Sequence, residues 1–455
     1  MPSLHLKYRK STALARLGIR TNMERDSHLT FREIHGSREN LVLSVADILG
    51  KALVEVVEDD APLNLRFITP YQFSTDWPTD ENCSQYALTL PGELPPGQEY
   101  ISVSYTWAHS QEIDPSTPIP DYRIKDQATP DAPFRSINCP TMVFHRAWCF
   151  ARARNIPYIW IDQECIYQEN AEDKERHLQI MDRIYKKSKW TVAILSTEIP
   201  DTMLSALALV PLNNRQEWYR GPYFENWPAD VELKPLYVNF YVDFLNNTTN
   251  ILSSVLSDPW FTRAWTFQER HCASACVLLA PTGNKSEAVA QLPLDWFGND
   301  VSLTYRSLRE ISRYHRHLND PGNPGDALDR IRLYSLLYES DQSEPTSYDI
   351  LFYMLEGCDN LICSDRLTIF ANACGFRYKL NSTLLNDAEY SYSTCMIALM
   401  MANEWEYKTS VWADDIKDFL VAHRINIWKL DLNEPIEGAL RKTGRTHELG
   451  VYLYG

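Results

Sequence analysis

The sequence predicts an α/β protein built around a parallel sheet with helices on both faces. Three apolar runs, residues 100–105, 158–161 and 190–195, have the length and the β-branched and aromatic content of buried strands. Amphipathic helical patterns separate them. A strand, a helix and a second strand in this order form a right-handed crossover, which makes the two strands parallel.

The intervening helices carry their own start signals. The first is predicted to begin at Pro140, because the missing N–H of proline costs little in the first turn of a helix. The second is predicted to follow Asn170, a typical N-cap residue, with two acidic residues in a first turn where negative charge is favourable. A third helix is predicted over residues 258–272, and a last strand over 275–279.

The 455 residues divide by composition into three predicted segments. Residues 1–95 are predicted to be a basic tail followed by a mixed α/β extension. Residues 96–285 hold the predicted sheet, with an insertion at about 196–256, and residues 286–455 are predicted to be mainly helical. A proline-bearing stretch, 108–138, follows the first strand, and a loop of that length is typically functional or mobile.

Charge and composition argue against several classes of function. The 60 acidic and 44 basic residues give a net charge of −16, which disfavours binding to nucleic acid. Glycine is scarce, with 16 residues, and neither a P-loop nor a G-x-G-x-x-G motif occurs. No apolar run is long enough to span a membrane, and no cysteine or histidine spacing predicts a metal site. We therefore expect a cytoplasmic protein without a metal, with a mitochondrial presequence in the basic first 25 residues as the alternative.

Three clusters of aromatic and polar residues follow the predicted strands or open the third helix. Ligands of open parallel sheets bind outside the carboxyl ends of the strands, so these clusters form the candidate site. Aromatic walls with a few polar groups are typical of a small-molecule pocket. A buried, inert thiol at Cys165 and structural amides at Gln168 and Gln268 are the alternatives. The candidate pocket residues are Ser104, Tyr105, Trp107, Trp160, Cys165, Gln168, Arg263, Trp265 and Gln268.

Two carboxylates are the candidate catalytic residues. Trp265 and Glu269 are four residues apart and share one helix face, so the indole is expected to desolvate the carboxylate and raise its pKa. The alternative is an ion pair of Glu269 with Arg263 or Arg270. Asp162, which follows the second predicted strand, either binds a ligand hydroxyl or caps the next turn.

Taken together, the clusters resemble the signature blocks of the fungal heterokaryon-incompatibility (HET) domain. Residues 100–107 resemble its Y-x-A-L-S-Y-x-W block, residues 158–168 its W-I-D-x-x-C-I-x-Q block, and residues 260–269 its W-x-x-R-x-W-x-x-Q-E block. The blocks occur in the family's order and spacing. Ala108 departs from the glycine usual after the first block, and Tyr167 stands where an aspartate is common.

This resemblance implies a TIR-like fold, which is a flavodoxin-like parallel sheet, and a role in nonself recognition and programmed cell death through protein partners or self-association. In TIR enzymes a Trp-Cys-x-x-Glu helix supplies a glutamate that assists NAD cleavage. Trp265 and Glu269 match that spacing, with Thr266 in place of the cysteine. The alternatives are an enzyme, either an NAD glycohydrolase or a catalyst of specialised metabolism, and a homologue that keeps the fold without activity. NAD is then a substrate, and no cofactor is assigned.

Overall fold

A computed structural model describes the main body of the chain. Several segments predicted from the sequence lie outside the described residues. The predicted basic tail lies almost wholly outside the described residues, as do residues 108–118 of the predicted loop and most of the predicted insertion 196–256. The described ranges, apart from a few isolated positions, are 28–56, 62–71, 84–107, 119–201, 254–283, 294–304, 358–387 and 390–404.

Most of the strands in these ranges belong to one mixed sheet. A separate antiparallel pair joins β1, Leu53–Glu55, to β12, Tyr378–Leu380. The strands of the large sheet are β2 Ile68–Pro70, β3 Gln85–Leu88, β4 Tyr100–Ser104, β5 Arg123–Asp126, β6 Arg135–Ser136, β7 Tyr158–Trp160, β8 Trp190–Ile194, β9 Cys276–Pro281, β10 Trp296–Phe297 and β11 Asp300–Thr304. Their order across the sheet is β10-β11-β9-β8-β4-β7-β2-β3-β5-β6.

The four central strands of the large sheet are parallel, as predicted. β4 pairs with β7 on one side and β8 on the other, and β8 pairs with β9. Numbered along the chain, these four strands lie in the order 2-1-3-4, so the chain changes direction across the sheet at β4. In open α/β sheets such a switch point opens a crevice at the carboxyl ends of the strands, here those of β4 and β8.

The outer strands, which lie beyond the predicted parallel core, make the whole sheet mixed. β2 runs antiparallel to β7 and β3, and β11 runs antiparallel to β9 and β10. These strands lie outside the strand–helix–strand pattern, and a short hairpin joins β10 to β11. The turn between β10 and β11 contains Gly298 at φ 61°, a conformation that glycine adopts without strain.

Helices cover both faces of the large sheet. Val192 and Ile194 of β8 pack in the apolar layer that contains the helix Thr141–Ala153, whereas Ala193 between them packs in the layer that contains the helix Ala264–Cys272. The helices are α1 Phe31–His35, α2 Arg38–Ala52, α3 Thr141–Ala153, α4 Asp162–Cys165, α5 Ala171–Gln179, α6 Met181–Lys187, the 3₁₀-helix Pro259–Thr262, α7 Ala264–Cys272, α8 Asp365–Ala373, α9 Ser382–Asp387 and α10 Tyr392–Glu404.

The predicted helix starts are confirmed by the caps. α3 begins directly after Pro140, and the side chain of Asn170 accepts a hydrogen bond from the backbone N–H of Asp173 at 3.0 Å. The single helix predicted after Asn170 is two helices, because Ile180 leaves the helical region at φ −114° and ψ 13°. α5 therefore ends before α6 begins, and the two can face different neighbours.

A buried ion pair fastens α3 to the sheet. Arg146 donates from Nε to both carboxylate oxygens of Asp300 at 2.9 Å, and from its two terminal nitrogens to the backbone oxygens of Leu195 at 2.6 Å and Leu279 at 2.8 Å. Arg146 and Asp300 are both buried. These contacts tie α3 to the backbone just after β8 and within β9, which makes the pair a fixed point of the fold.

The segments that flank the central sheet are packed together and onto it. β1 lies before the sheet in sequence and β12 long after it, yet they pair with each other. Lys379 of β12 is 1% exposed, and its ammonium group donates to Gln179 O at 2.6 Å, Asp182 Oδ1 at 3.0 Å and Asn372 Oδ1 at 2.6 Å.

Beyond residue 285 the described chain contains strands β10–β12 as well as the expected helices. No described helix is both long and apolar enough for a membrane crossing.

Candidate functional site

The first and third clusters meet at the carboxyl end of β4. Ser104, the last residue of β4, is fully buried and accepts a hydrogen bond from Nε1 of Trp260 at 2.8 Å. The same hydroxyl donates to Oε2 of Glu269 at 2.5 Å. Trp260 is held by Asp258, which accepts from its backbone N–H at 2.8 Å and begins the 3₁₀-helix. A strand residue therefore connects two residues of the third cluster.

Glu269 is a buried carboxyl group held by hydroxyl groups. It is 8% exposed and contacts the hydroxyls of Ser104 and Tyr185. Burial raises the pKa of Glu269 to about 8, and the charge of Asp162 adds to the increase, against the opposing effects of both hydroxyls and of Arg263. The group is therefore mainly protonated at neutral pH. Buried carboxyls with such shifts are found where acid–base chemistry occurs, although structural networks produce them too.

The indole of Trp265 is bonded to a different carboxylate from the one expected. Its Nε1 donates to Oδ2 of Asp365 at 3.0 Å, and Asp365 is the first residue of α8. Burial raises the pKa of Asp365 to about 6. The indole linked to Glu269, through Ser104, is that of Trp260. The alternative ion pair of Glu269 with an arginine is not among its contacts in the described part of the chain.

Asp162 connects the second cluster to the first. It follows β7 and begins α4, where its Oδ1 accepts from the backbone N–H of Gln163 at 2.7 Å. Oδ1 also accepts from the hydroxyl of Tyr105 at 3.0 Å, and Oδ2 accepts from Nε1 of Trp107 at 2.8 Å. Burial raises the pKa of Asp162, against these hydrogen bonds and the charge of Arg263. Asp162 thus accepts a backbone hydrogen bond in the turn that follows β7 and also orients two pocket candidates.

The remaining candidates of the second cluster are buried around Asp162. Nε2 of Gln168 donates to Asp162 O at 2.9 Å, which fits a structural amide. The thiol of Cys165 is buried and accepts from the backbone N–H of Ile161 at 3.4 Å, and burial raises its pKa to about 12. Such a thiol is a poor nucleophile. Trp160 is fully buried with its ring edge-on to Tyr185, at 5.8 Å between centroids.

The described residues contain no group of three or more histidine, cysteine, aspartate or glutamate side chains that could hold a metal ion. The three clusters together place two carboxyl groups at neighbouring strand ends, with Asp162 directly after β7 and Glu269 bonded to Ser104 at the end of β4. Their aromatic neighbours, Trp107 and Trp260, fix both groups by direct or serine-mediated hydrogen bonds.

Comparison with known proteins shows which family the segment holding these clusters resembles. Residues 100–269 match the family model described as Heterokaryon incompatibility protein (HET). The chain carries a HET domain. It is also similar to "Heterokaryon incompatibility protein 6, OR allele" of Neurospora crassa, with 26% identity over 262 residues that cover 54% of this chain and 36% of that protein. The chain therefore spans little more than a third of the length of this curated relative. No solved structure matches it.

Gln268 and Arg263, like the indole N–H of Trp160, form no side-chain hydrogen bond or ion pair with the described residues. Both side-chain polar atoms of Gln268 are buried without a hydrogen bond, so the predicted structural amide role has no contact to support it. Arg263, directly before α7, is partly exposed, and none of the contacts of its guanidinium group with described residues is an ion pair or a hydrogen bond. Its backbone forms a bridge with Asp359.

Three residues at the centre were not among the predicted site residues. Trp260 opens the third signature block, so its motif position was a usable signal. Tyr185 lies in the helix that follows the second block, and its hydroxyl is bonded to Glu269. Asp365 lies nearly 100 residues beyond the HET match, and only the packing of α8 on α7 brings it to Trp265.

Proposed function

We propose that this chain acts in heterokaryon incompatibility, as an effector of nonself recognition and programmed cell death, through a TIR-like HET domain. The similarity to a heterokaryon incompatibility protein of Neurospora crassa supports the biological role. The 2-1-3-4 order of the parallel strands supports the TIR-like architecture, because it is the order of flavodoxin-like sheets.

The observation that carries the proposal is the joining of all three signature blocks into one centre. Ser104 of the first block is bonded to Trp260 and Glu269 of the third, and Trp107 of the first block is bonded to Asp162 of the second. Blocks that are far apart in sequence therefore depend on one another for their geometry. Motifs that served only local folding would not need contacts between residues so far apart in the sequence.

Two aromatic side chains at this centre remain available to a protein partner. Trp107 is 46% exposed and Tyr167 is 37% exposed, although both are held in place. Trp107 is fixed through Asp162, and the guanidinium group of Arg66 lies 3.5 Å from the ring centre of Tyr167. Rigid, half-exposed aromatic rings are typical of the central residues of protein interfaces. They support an effector that acts by association.

Inducible expression in a filamentous fungus tests the role in cell death. We expect the wild-type chain to reduce viability and Trp107→Ser to reduce that effect, because the exposed ring is removed. Glu172→Gln, which changes an exposed carboxylate, serves as the matched control. Full viability with the wild-type chain at an expression level confirmed by immunoblot would contradict the proposal.

A second candidate function is cleavage of the glycosidic bond of NAD, with Glu269 as the acting group. The transition state of that cleavage resembles an oxocarbenium ion, which a carboxylate stabilises electrostatically. Because the pKa of Glu269 is about 8, its ionised form grows as the pH rises through that value. An activity that depends on the carboxylate should therefore increase from pH 6 to about pH 9.

Release of nicotinamide by the purified chain tests this second function. The expected result is a rate that rises with pH and is lost in Glu269→Gln. A rate retained by Glu269→Gln would remove this residue from the mechanism. Cell death that persists in Glu269→Gln without any nicotinamide release would favour association over catalysis.

A further inference from the structure

A cysteine, a histidine and a tyrosine form a second cluster of reactive side chains, outside the three signature blocks. Cys149 and His145 are four residues apart in α3, and Sγ of Cys149 lies 3.7 Å from Nε2 of His145. Nδ1 of the same imidazole lies 2.6 Å from the hydroxyl of Tyr122, directly before β5. A nucleophile, a base and a group that orients the base are therefore in successive contact, which is the arrangement of an activated nucleophile.

The surroundings of Tyr122 hold the histidine in place. Tyr122 is 3% exposed, and its ring packs edge-on against Tyr86 at 5.8 Å and Phe144 at 4.9 Å between centroids. A ring fixed in this way also fixes its hydroxyl group. When Nδ1 of the neutral imidazole donates its proton to that hydroxyl, the lone pair of Nε2 faces the thiol of Cys149. Burial lowers the pKa of His145, so the ring is mainly neutral at pH 7 and can accept a proton.

The cysteine is open to small reagents on one side. Cys149 and His145 are partly exposed, whereas Trp148 and Phe150, which flank the cysteine, are buried. The turn between β10 and β11 lies against the sulfur, and a Cβ atom at Gly298 would be 3.6 Å from Sγ. Because glycine has no side chain, the turn leaves this space beside the sulfur unfilled. A small molecule can therefore reach the thiol without unfolding α3.

We propose that Cys149 is a modification site that forms a mixed disulfide with a small disulfide such as glutathione disulfide, with His145 as its base. The proton of Sγ moves to Nε2 of His145, and the sulfur attacks one sulfur atom of the reagent. The S–S bond of the reagent breaks as the new S–S bond forms at Cys149. The leaving thiolate takes the proton from His145, so the protein thiol is oxidised and one half of the reagent departs as the reduced thiol. This site is independent of the proposed function.

Mass spectrometry of the full chain after exposure to glutathione disulfide tests the site. Fragmentation of the peptides places each adduct, and dithiothreitol should remove it. We expect the adduct at Cys149 to form at least about 10-fold faster than at the other partly exposed cysteines. These internal references are Cys272, Cys363 and Cys374. A reaction at Cys149 that is no faster than at these three overturns the proposal.

Substitution of the base separates activation from exposure. His145→Gln keeps a polar side chain that cannot take the proton, and it should slow the reaction of Cys149 about 10-fold. Tyr122→Phe keeps the ring and removes the orienting hydroxyl, and it should slow the reaction less, by about 3-fold. His28→Gln, at an exposed position, is the matched control.

Two further measurements keep these variants interpretable. Urea unfolding of each variant verifies the fold, and the rate at Cys363 should be the same in all of them. Once urea has unfolded the chain, Cys149 should react equally fast in the wild type and in each variant, because the contact with His145 is gone. A folded His145→Gln in which Cys149 reacts as fast as in the wild type overturns the proposal.

Discussion

Substitution of Glu269 by glutamine should remove a pH dependence from the stability of the fold. Burial raises the pKa of Glu269 from its ordinary value of 4.5 to about 8. The native state therefore holds this proton more tightly than the unfolded chain does. The contribution of the group to stability is complete below about pH 4.5 and is lost as the pH rises to about 8. At 1.4 kcal/mol for each pKa unit, the loss over this window is about 5 kcal/mol.

Glutamine keeps the shape of the protonated acid and can still accept from Ser104, but it does not titrate. The free energy of unfolding of the wild type minus that of Glu269→Gln should therefore fall by about 3 kcal/mol or more between pH 5 and pH 9. Urea unfolding followed by tryptophan fluorescence measures both at each pH. Glu172→Gln, at an exposed position, corrects for general effects of charge. A difference between wild type and Glu269→Gln that stays constant across this range would falsify the assigned state of the carboxyl group.

Three further substitutions or reactions probe the framework of the site. Arg146→Met should lower the free energy of unfolding by about 3–5 kcal/mol, since it leaves the buried Asp300 unpaired, and Arg146→Met/Asp300→Asn should recover part of the loss in the same urea assay. Asp258→Ala should lower the free energy of unfolding by about 2–4 kcal/mol. The Asp258 carboxylate accepts hydrogen bonds from two successive backbone N–H groups after β8 and from the backbone N–H of Trp260, and all three would lose their acceptor. An unchanged melting temperature would contradict this. Cys165 should resist iodoacetamide at pH 8 until urea unfolds the chain, as mass spectrometry of the alkylated peptides would show, and rapid labelling of the native protein would refute the buried, protonated thiol.

Much of the central fold could be predicted from local patterns. The runs that became β4, β7 and β8 are apolar and separated by helical segments, so their parallel direction followed from the rules for crossovers. The helix starts after Pro140 and Asn170 were equally local, because capping depends on residues within one turn. The short outer strands were missed, since strands of two to five residues with antiparallel partners leave no periodic signal in sequence.

The sequence predicted which residues belong to the candidate site better than it predicted which of them contact one another. The signature blocks marked Ser104, Asp162 and Glu269, and the rule for strand ends placed two of them at one edge of the sheet. Helical spacing suggested Trp265 as the neighbour of Glu269, but Trp265 is bonded to Asp365. Spacing along a helix gives a shared face, whereas the partner is decided by whichever element packs against that face.

The sequence by itself determined the parallel centre of the sheet, the caps of its helices and the residue types gathered at its carboxyl edge. Those features depend on interactions within a few residues and on the two periods of helix and strand. Only the tertiary structure decided that Ser104 joins Trp260 to Glu269, that Asp365 comes from beyond the HET domain, and that Arg263 has no bonded partner in the described residues. The physical reason is that a buried polar group takes its pKa and its bonds from whatever surrounds it in space, and those neighbours lie far away along the chain.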